Sequence, residues 1–145
     1  MRRHERPRLR RDERGAATIF VLGLSIVLFA CAGLVIDGGL AIGARQRAAD
    51  DAEQAARVAT DSIDVAQLRE TGEIVVDRRL AEQRAAQYLV GRGYAGNEFS
   101  VQPQPNSNAV RVVVRNTTST LILGVIGISQ FDVTAAATSE PDTGP

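Results

Sequence analysis

Hydrophobic and polar positions divide the chain into stretches of different character. Residues 16–36 contain 21 consecutive positions without a charged side chain, and only Thr18 and Ser25 among them are polar. A helix needs about 20 such residues to cross a hydrocarbon core of ~30 Å, because each residue advances it by ~1.5 Å. The pattern therefore predicts one membrane-spanning helix near the N-terminus.

Alanines follow this run at helical spacing, at positions 41, 44, 48, 52, 55 and 59. Small side chains allow helix backbones to approach closely, and Gly39 and Gly43 add a small-xxx-small pair at the membrane edge. We therefore predict that the helix continues to about residue 60 and packs into a bundle of similar helices. The alternative is that alanine is simply abundant here and is the best helix former. The residues predicted to make helix or partner contacts are Asp37, Gly39, Gly43, Ala44, Ala48, Ala52 and Ala55.

The remainder of the chain has the pattern of a small mixed domain. Residues 77–90 predict an amphipathic helix with Asp77 as its N-cap, and short alternating strands are predicted over 99–101, 110–115 and 131–137. The predicted fold class is α+β: a long N-terminal helix, then a domain of order α-β-β-α-β. This order indicates about three strands with helices on one face of the sheet.

Residues 121–128 read LILGVIGI and are apolar on every side. Eight residues are too few to cross a bilayer. The segment is therefore either a buried turn or strand, or a surface that docks on a membrane or a partner. The candidate docking residues are Leu121, Ile122, Leu123, Val125 and Ile126.

These patterns suggest five parts in chain order. They are an Arg-rich tail (1–14), the helical module (15–60), a linker (61–76), a small α+β domain (77–138) and a disordered tail (139–145). The domain is small for an independent core, so we expect it to gain stability from neighbours.

Charge is distributed unequally on the two sides of the apolar run. Residues 1–14 contain seven arginines and three acidic residues, whereas residues 38–145 contain 10 arginines and 13 acidic residues. The positive-inside rule then places the N-terminus in the cytoplasm and the domain outside the membrane. Asp37, the only charged residue between Arg14 and Arg45, either faces a partner or lies in water at the outer interface.

Composition argues against most catalytic and metal-binding classes. All 17 basic residues are arginine, and the chain has one Cys, one His and no Trp. A single Cys excludes an internal disulfide and a Cys-cluster metal site, and the only histidine, His4, lies in the charged tail. No nucleophile–base pair or paired carboxylates can be assigned. We therefore predict no enzymatic activity, cofactor, metal, nucleic acid or small-molecule substrate.

The order of the N-terminal pieces points to a family. Arg14-Gly15 precedes the apolar helix, and the segments 33–39 (GLVIDGG), 44–47 (ARQR) and 50–56 (DDAEQAA) follow. Over about residues 10–60 the chain resembles the N-terminal module of TadE/TadG-like proteins, accessory components of bacterial Flp (tight adherence) pilus systems. The resemblance implies a single-pass protein of the bacterial cytoplasmic membrane that serves as anchor and scaffold in pilus assembly or secretion. Its implied partners are the lipid bilayer, other Tad/Flp components and further copies of itself.

Two alternatives concern the N-terminus. Prepilin-like members of such systems are cut after a glycine and have glutamate as the fifth mature residue. A cut between Gly15 and Ala16 would place Phe20 there, which favours the uncleaved TadG-like form over a pseudopilin. The other alternative is an extracytoplasmic binding lipoprotein anchored at Cys31. Bulky Phe29 before Cys31 and apolar sequence after it favour the simpler interpretation of Cys31 as a small buried residue of the anchor.

Overall fold

The computed structural model of the protein describes residues 12–142, and its first element is one long helix. Helix α1 (Asp12–Thr60, 49 residues) runs without a break through Gly38 and Gly39. Among the described residues, α1 is the one helix that is long and apolar enough to cross a membrane, and it meets that test over Gly15–Thr60. The predicted tail lies outside the described residues except for 12–14, which begin α1.

The segment predicted as a linker is folded. Residues 61–76 contain a short helix, α2 (Val65–Thr71), whose N-cap Asp64 accepts hydrogen bonds from the two backbone N–H groups that follow Val65. Gly72 ends α2 in the left-handed conformation (φ 75°), which only glycine adopts without strain. Ile63 and Val76 form a β-bridge that closes the segment into a loop. The Asp64 cap and the Gly72 stop thus define a helix in this stretch, although its polar composition is typical of a linker.

A helix and three strands follow, and they confirm the α+β class. Helix α3 (Arg78–Gly91) begins at the predicted N-cap Asp77, whose side chain accepts a hydrogen bond from the Leu80 N–H (3.1 Å). Strands β1 (Phe99–Pro103), β2 (Val110–Ser119) and β3 (Gln130–Ser139) form an antiparallel sheet in the order β1-β2-β3. The predicted last helix is a single 3₁₀ turn (Leu123–Ile126) between β2 and β3.

The core lies between one face of the sheet and the helices. Val110, Val112 and Val114 on β2 are fully buried, while Arg111 and Arg115 between and after them point to solvent. This alternation marks one covered face and one wet face, and α1 and α3 pack on the covered side.

The folded unit, which we call the head, comprises residues 44–142 and is therefore larger than the predicted domain 77–138. It includes the last four turns of α1, whose side chains belong to the same core as β2 and α3. It also includes Ser139, predicted as tail, which pairs with Val110 at the end of the sheet. Residues 143–145 of that predicted tail lie outside the described residues.

Candidate interaction site at the base of the head

The alanine stripe of α1 is covered by the chain itself. Ala44, Ala48, Ala52 and Ala55 each have 0–1% of their surface exposed, and α1 contacts β2, β3 and α3. The close approach that small side chains permit is thus used inside the head, and these residues are not free to pack into a bundle of other helices. This corrects the predicted role of the stripe, because the same spacing fits a sheet as well as a second helix.

The two glycines of the small-xxx-small pair lie differently. Gly39 is exposed and Gly43 is half-buried, and a Cβ added at either position would have no heavy atom within 4 Å. Both glycines therefore leave an open strip on α1 between the apolar run and the alanine stripe.

Asp37 is bound by a distant part of the same chain. One carboxylate oxygen, Oδ1, accepts from the Leu121 N–H (2.8 Å), and Oδ2 accepts from the N–H groups of Ile122 (3.0 Å) and Leu123 (2.7 Å). The first N–H groups of a helical turn lack partners within it, so Asp37 serves as a cap supplied by another element. Its side chain is 1% exposed. Both sequence interpretations of Asp37, a separate partner or water, are therefore wrong.

Gly33, one turn before Asp37 on the same face of α1, makes room for this contact. A Cβ on Gly33 would lie 2.6 Å from Cγ2 of Ile122, closer than side-chain atoms can pack. Only glycine therefore lets residues 121–128, which we call the tip, sit against the helix in the observed position. Gly33 and Asp37 together seat the tip on α1.

The tip presents most of its apolar surface outward. Leu121 is 70% and Val125 is 88% exposed, whereas Leu123 is buried against α1. Of the candidate docking residues, Leu121 and Val125 thus form a free surface and Leu123 forms an internal contact. Ile122 is half-buried in the contact with Gly33, and the structure places Ile126 only as the last residue of the 3₁₀ turn.

An apolar groove of about 250 Å³ runs between the tip and the apolar part of α1. Its walls are Ile26, Phe29 and Ala30 on α1, and Ile122, Leu123 and Val125 on the tip. The groove joins two surfaces that are both apolar and both uncovered by the chain.

The apolar part of α1, residues 16–36, projects from the head with its large side chains exposed. Phe20, Phe29 and Val35 are each at least 70% exposed. Cys31 is also exposed on this part of α1. The candidate processing residues Gly15 and Ala16 are exposed at the start of this part of α1.

A polar cluster fastens α1 to the end of α3. Asp51, buried on α1, accepts hydrogen bonds from Arg92 Nε (2.8 Å) and from the Tyr94 hydroxyl (2.9 Å). Burial and the hydrogen bond to Asp51 raise the pKa of Tyr94 to about 12, and the same carboxylate raises the pKa of Arg92. The ion pair of Asp51 is therefore formed with Arg92, 41 residues away in the chain. The cluster is a structural contact, since each of its three polar groups is used within it.

Metal-binding chemistry has no clear place in the described part of the chain. Across residues 12–142, no three His, Cys, Asp or Glu side chains come together as a group that could hold a metal ion. Comparison with known proteins adds no family: no protein-family model, curated protein or solved structure matches this chain.

Proposed function

We propose that this chain is a single-pass membrane accessory protein of a Tad/Flp-type pilus assembly or secretion apparatus. Its role is mechanical: the apolar part of α1 anchors it, and the head is a scaffold for contacts with other components. The TadE/TadG-like order of residues 10–60 supports the choice of apparatus. The exposed apolar part of α1 supports the membrane anchor.

The membrane anchor is supported by the contrast between the two halves of α1. The side chains of residues 16–36 are exposed and uncharged, whereas the alanine stripe beyond them is buried in the head. Exposing so many large apolar side chains to water is unfavourable by about 25 cal/mol for each Å². A bilayer provides the cover that the chain lacks.

The continuity of α1 supports the scaffold role. No loop separates the apolar part from the buried part, because the helix is unbroken from Asp12 to Thr60. The head is also fixed to the helix at two levels, by Asp37 at its base and by Asp51 further along. A force or displacement at the head is therefore passed directly to the anchor.

Association with the apparatus is tested by affinity purification. We expect the tagged full-length chain, extracted from its native membrane, to enrich Tad/Flp components. A Leu22→Arg, Val27→Arg variant is the matched control, because two charges at the centre of the span disfavour insertion while leaving the head sequence intact. If the unmodified chain never enriches these components, the proposed apparatus is wrong.

Orientation is tested by labelling single cysteines from outside the cell. In a Cys31→Ser background, we expect Gln87→Cys on the exposed side of α3 to react with a membrane-impermeant maleimide. We expect Arg8→Cys in the basic tail to react only after the membrane is opened. The reverse result would overturn the proposed orientation.

A second candidate function, a pseudopilin processed after Gly15, is favoured by the same exposed helix. Apolar helices of neighbouring copies would cover residues 16–36 as effectively as lipid does. The intact mass of the chain from its native membrane separates the candidates, because a mature chain that begins at Ala16 indicates a fibre subunit. A mass that includes the basic tail indicates the uncleaved anchor.

A lipoprotein anchored at Cys31 makes a different prediction. Lipidation requires the Cys31 thiol, which is exposed on α1. A Cys31→Ser chain that retains its mass, apart from the substitution, and its membrane association eliminates this candidate.

A further inference from the structure

We infer that the tip, residues 121–128, is a second membrane contact that inserts into the outer leaflet beside α1. The occupant of its exposed apolar surface and of the groove is lipid acyl chain. This inference rests on the proposed membrane anchor, and it adds a contact that fixes how deeply the head sits and which way it faces.

The tip lies beside the apolar part of α1. The tip contacts α1 at Gly33, and its groove extends to Ile26, which precedes Asp37 by 11 residues. Eleven residues of helix are about 16 Å long, roughly half of a ~30 Å hydrocarbon core. If residues 16–36 span the bilayer, the tip cannot remain in water, because it lies alongside the outer half of the span.

The tip itself carries no charged side chain. No charged residue occurs between Arg115 and Asp132, a stretch that includes both strand ends and the tip. Apart from Asp37, which the tip binds, charges occur at the base of the head, where Arg45 of α1 and Asp132 of β3 border the same shallow pocket. These two side chains mark a polar level that fits the lipid headgroups.

Most backbone N–H groups of the tip have acceptors within the chain. Three N–H groups bind Asp37, and those of Val125, Gly127 and Ile128 donate to carbonyl oxygens within the tip. Irregular backbone enters hydrocarbon only where its polar groups have protein partners, since each unpaired group costs several kcal/mol there. A loop exposed to water would have no need of a buried carboxylate for this purpose.

Tryptophan fluorescence tests the inference directly, because the chain has no tryptophan of its own. Three single variants of the full-length chain are reconstituted into phosphatidylcholine–phosphatidylglycerol vesicles, with or without bromine on the acyl chains. Val125→Trp reports the tip, Phe20→Trp reports the span, and Gln102→Trp reports the exposed β1 position near the other end of the sheet. We expect Val125→Trp and Phe20→Trp to emit at short wavelength and lose intensity in brominated lipid, and Gln102→Trp to be unaffected.

The remaining outcomes separate the inference from the proposed function. Quenching of Phe20→Trp alone, with Val125→Trp emitting as in water, overturns the inference and leaves the anchor intact. Short-wavelength emission of Val125→Trp without quenching also overturns it, because the tip is then covered by protein, such as a second copy. If neither Phe20→Trp nor Val125→Trp is quenched, the membrane anchor itself is wrong.

A second variant tests the role of Asp37. In the Val125→Trp background, Asp37→Ala removes the acceptor of three N–H groups, which must then reach water. We expect the quenching of Val125→Trp to be lost while a Phe20→Trp, Asp37→Ala chain is still quenched. Unchanged quenching of Val125→Trp would show that Asp37 does not hold the tip in the bilayer.

Discussion

Replacing Ala52 with leucine tests whether the alanine stripe belongs to this chain's own core. Ala52 has no exposed surface, and its stripe neighbours Ala48 and Ala55 are equally buried. A leucine adds three carbon atoms where α1 meets the sheet and α3. Extra methylene groups in a packed core cost about 1–3 kcal/mol. Helix propensity contributes little, because alanine and leucine are both strong helix formers.

The expected effect on thermal unfolding follows from the size of the head. For a domain of about this size, each kcal/mol shifts Tm by about 4–8 °C, so we expect Ala52→Leu to lower Tm by about 10 °C. Circular dichroism of the full-length chain in detergent measures it. Ala49→Leu is the matched control, because Ala49 lies on the exposed side of the same helix. An unchanged Tm for Ala52→Leu, together with loss of self-association, would refute the assignment of the stripe to the core.

Three further predictions concern the head. Leu89→Ala removes the largest fully buried side chain of α3, and we expect the free energy of unfolding in urea to fall by about 2–5 kcal/mol; a loss below this range would mean that the site collapses around the cavity. Asp64→Ala removes the cap of α2, and the same measurement is expected to show a loss of about 0.5–2 kcal/mol; no change would mean that α2 frays without consequence. In a Tyr88→Phe chain, absorbance is expected to show Tyr94 ionising near pH 12, above its ordinary pKa of 10.0, because burial and Asp51 disfavour the phenolate. Since folding raises this pKa, the stabilising contribution is complete below about pH 10 and is lost as the pH rises to about 12; ionisation at pH 10 in the folded chain would contradict the hydrogen bond.

The elements of this fold were predictable because their signals are local. An uncharged run of sufficient length specified the first half of α1, and an aspartate followed by an amphipathic stretch specified the start of α3. Alternating valines specified the buried face of β2. Each of these signals lies within about 20 residues of the element that it predicts. The linker is the local exception: its polar composition predicts no element, although Asp64 caps α2 and Gly72 ends it.

The candidate site was not predictable in the same way, because its parts are distant in sequence. Asp37 and the N–H groups that it binds are separated by 84 to 86 residues. An isolated charge at the end of an apolar run indicated that Asp37 needed a partner, but periodicity contains no information about which one. The alanine stripe had the same limit: its spacing identified a buried face of α1 and left open whether a helix or a sheet covers it.

One signal that bears on the site was nevertheless present. Gly33, Asp37, Ala44, Ala48 and Ala55 follow one another in steps of four and seven residues, so they lie on one face of α1. All five are buried, which means that tip and head cover a single stripe that begins inside the apolar run. The two non-alanine members of the stripe, Gly33 and Asp37, therefore indicated a buried face at the end of the apolar run.

This common stripe explains why the one charge in it is tolerated. If residues 16–36 span a bilayer as proposed and the tip were absent, Asp37 would be a carboxylate at the edge of hydrocarbon without a partner, which is costly. If Asp37 were apolar, the tip would bring three N–H groups to the same place without an acceptor. Asp37 without the tip and the tip without Asp37 are each unfavourable, so the stable arrangement is the one in which the tip is docked on α1. Because the stripe occupies only one face of α1, docking also selects a single rotation of the head about the helix. The opposite face of residues 16–36 then remains available for lipid or for another component of the proposed apparatus.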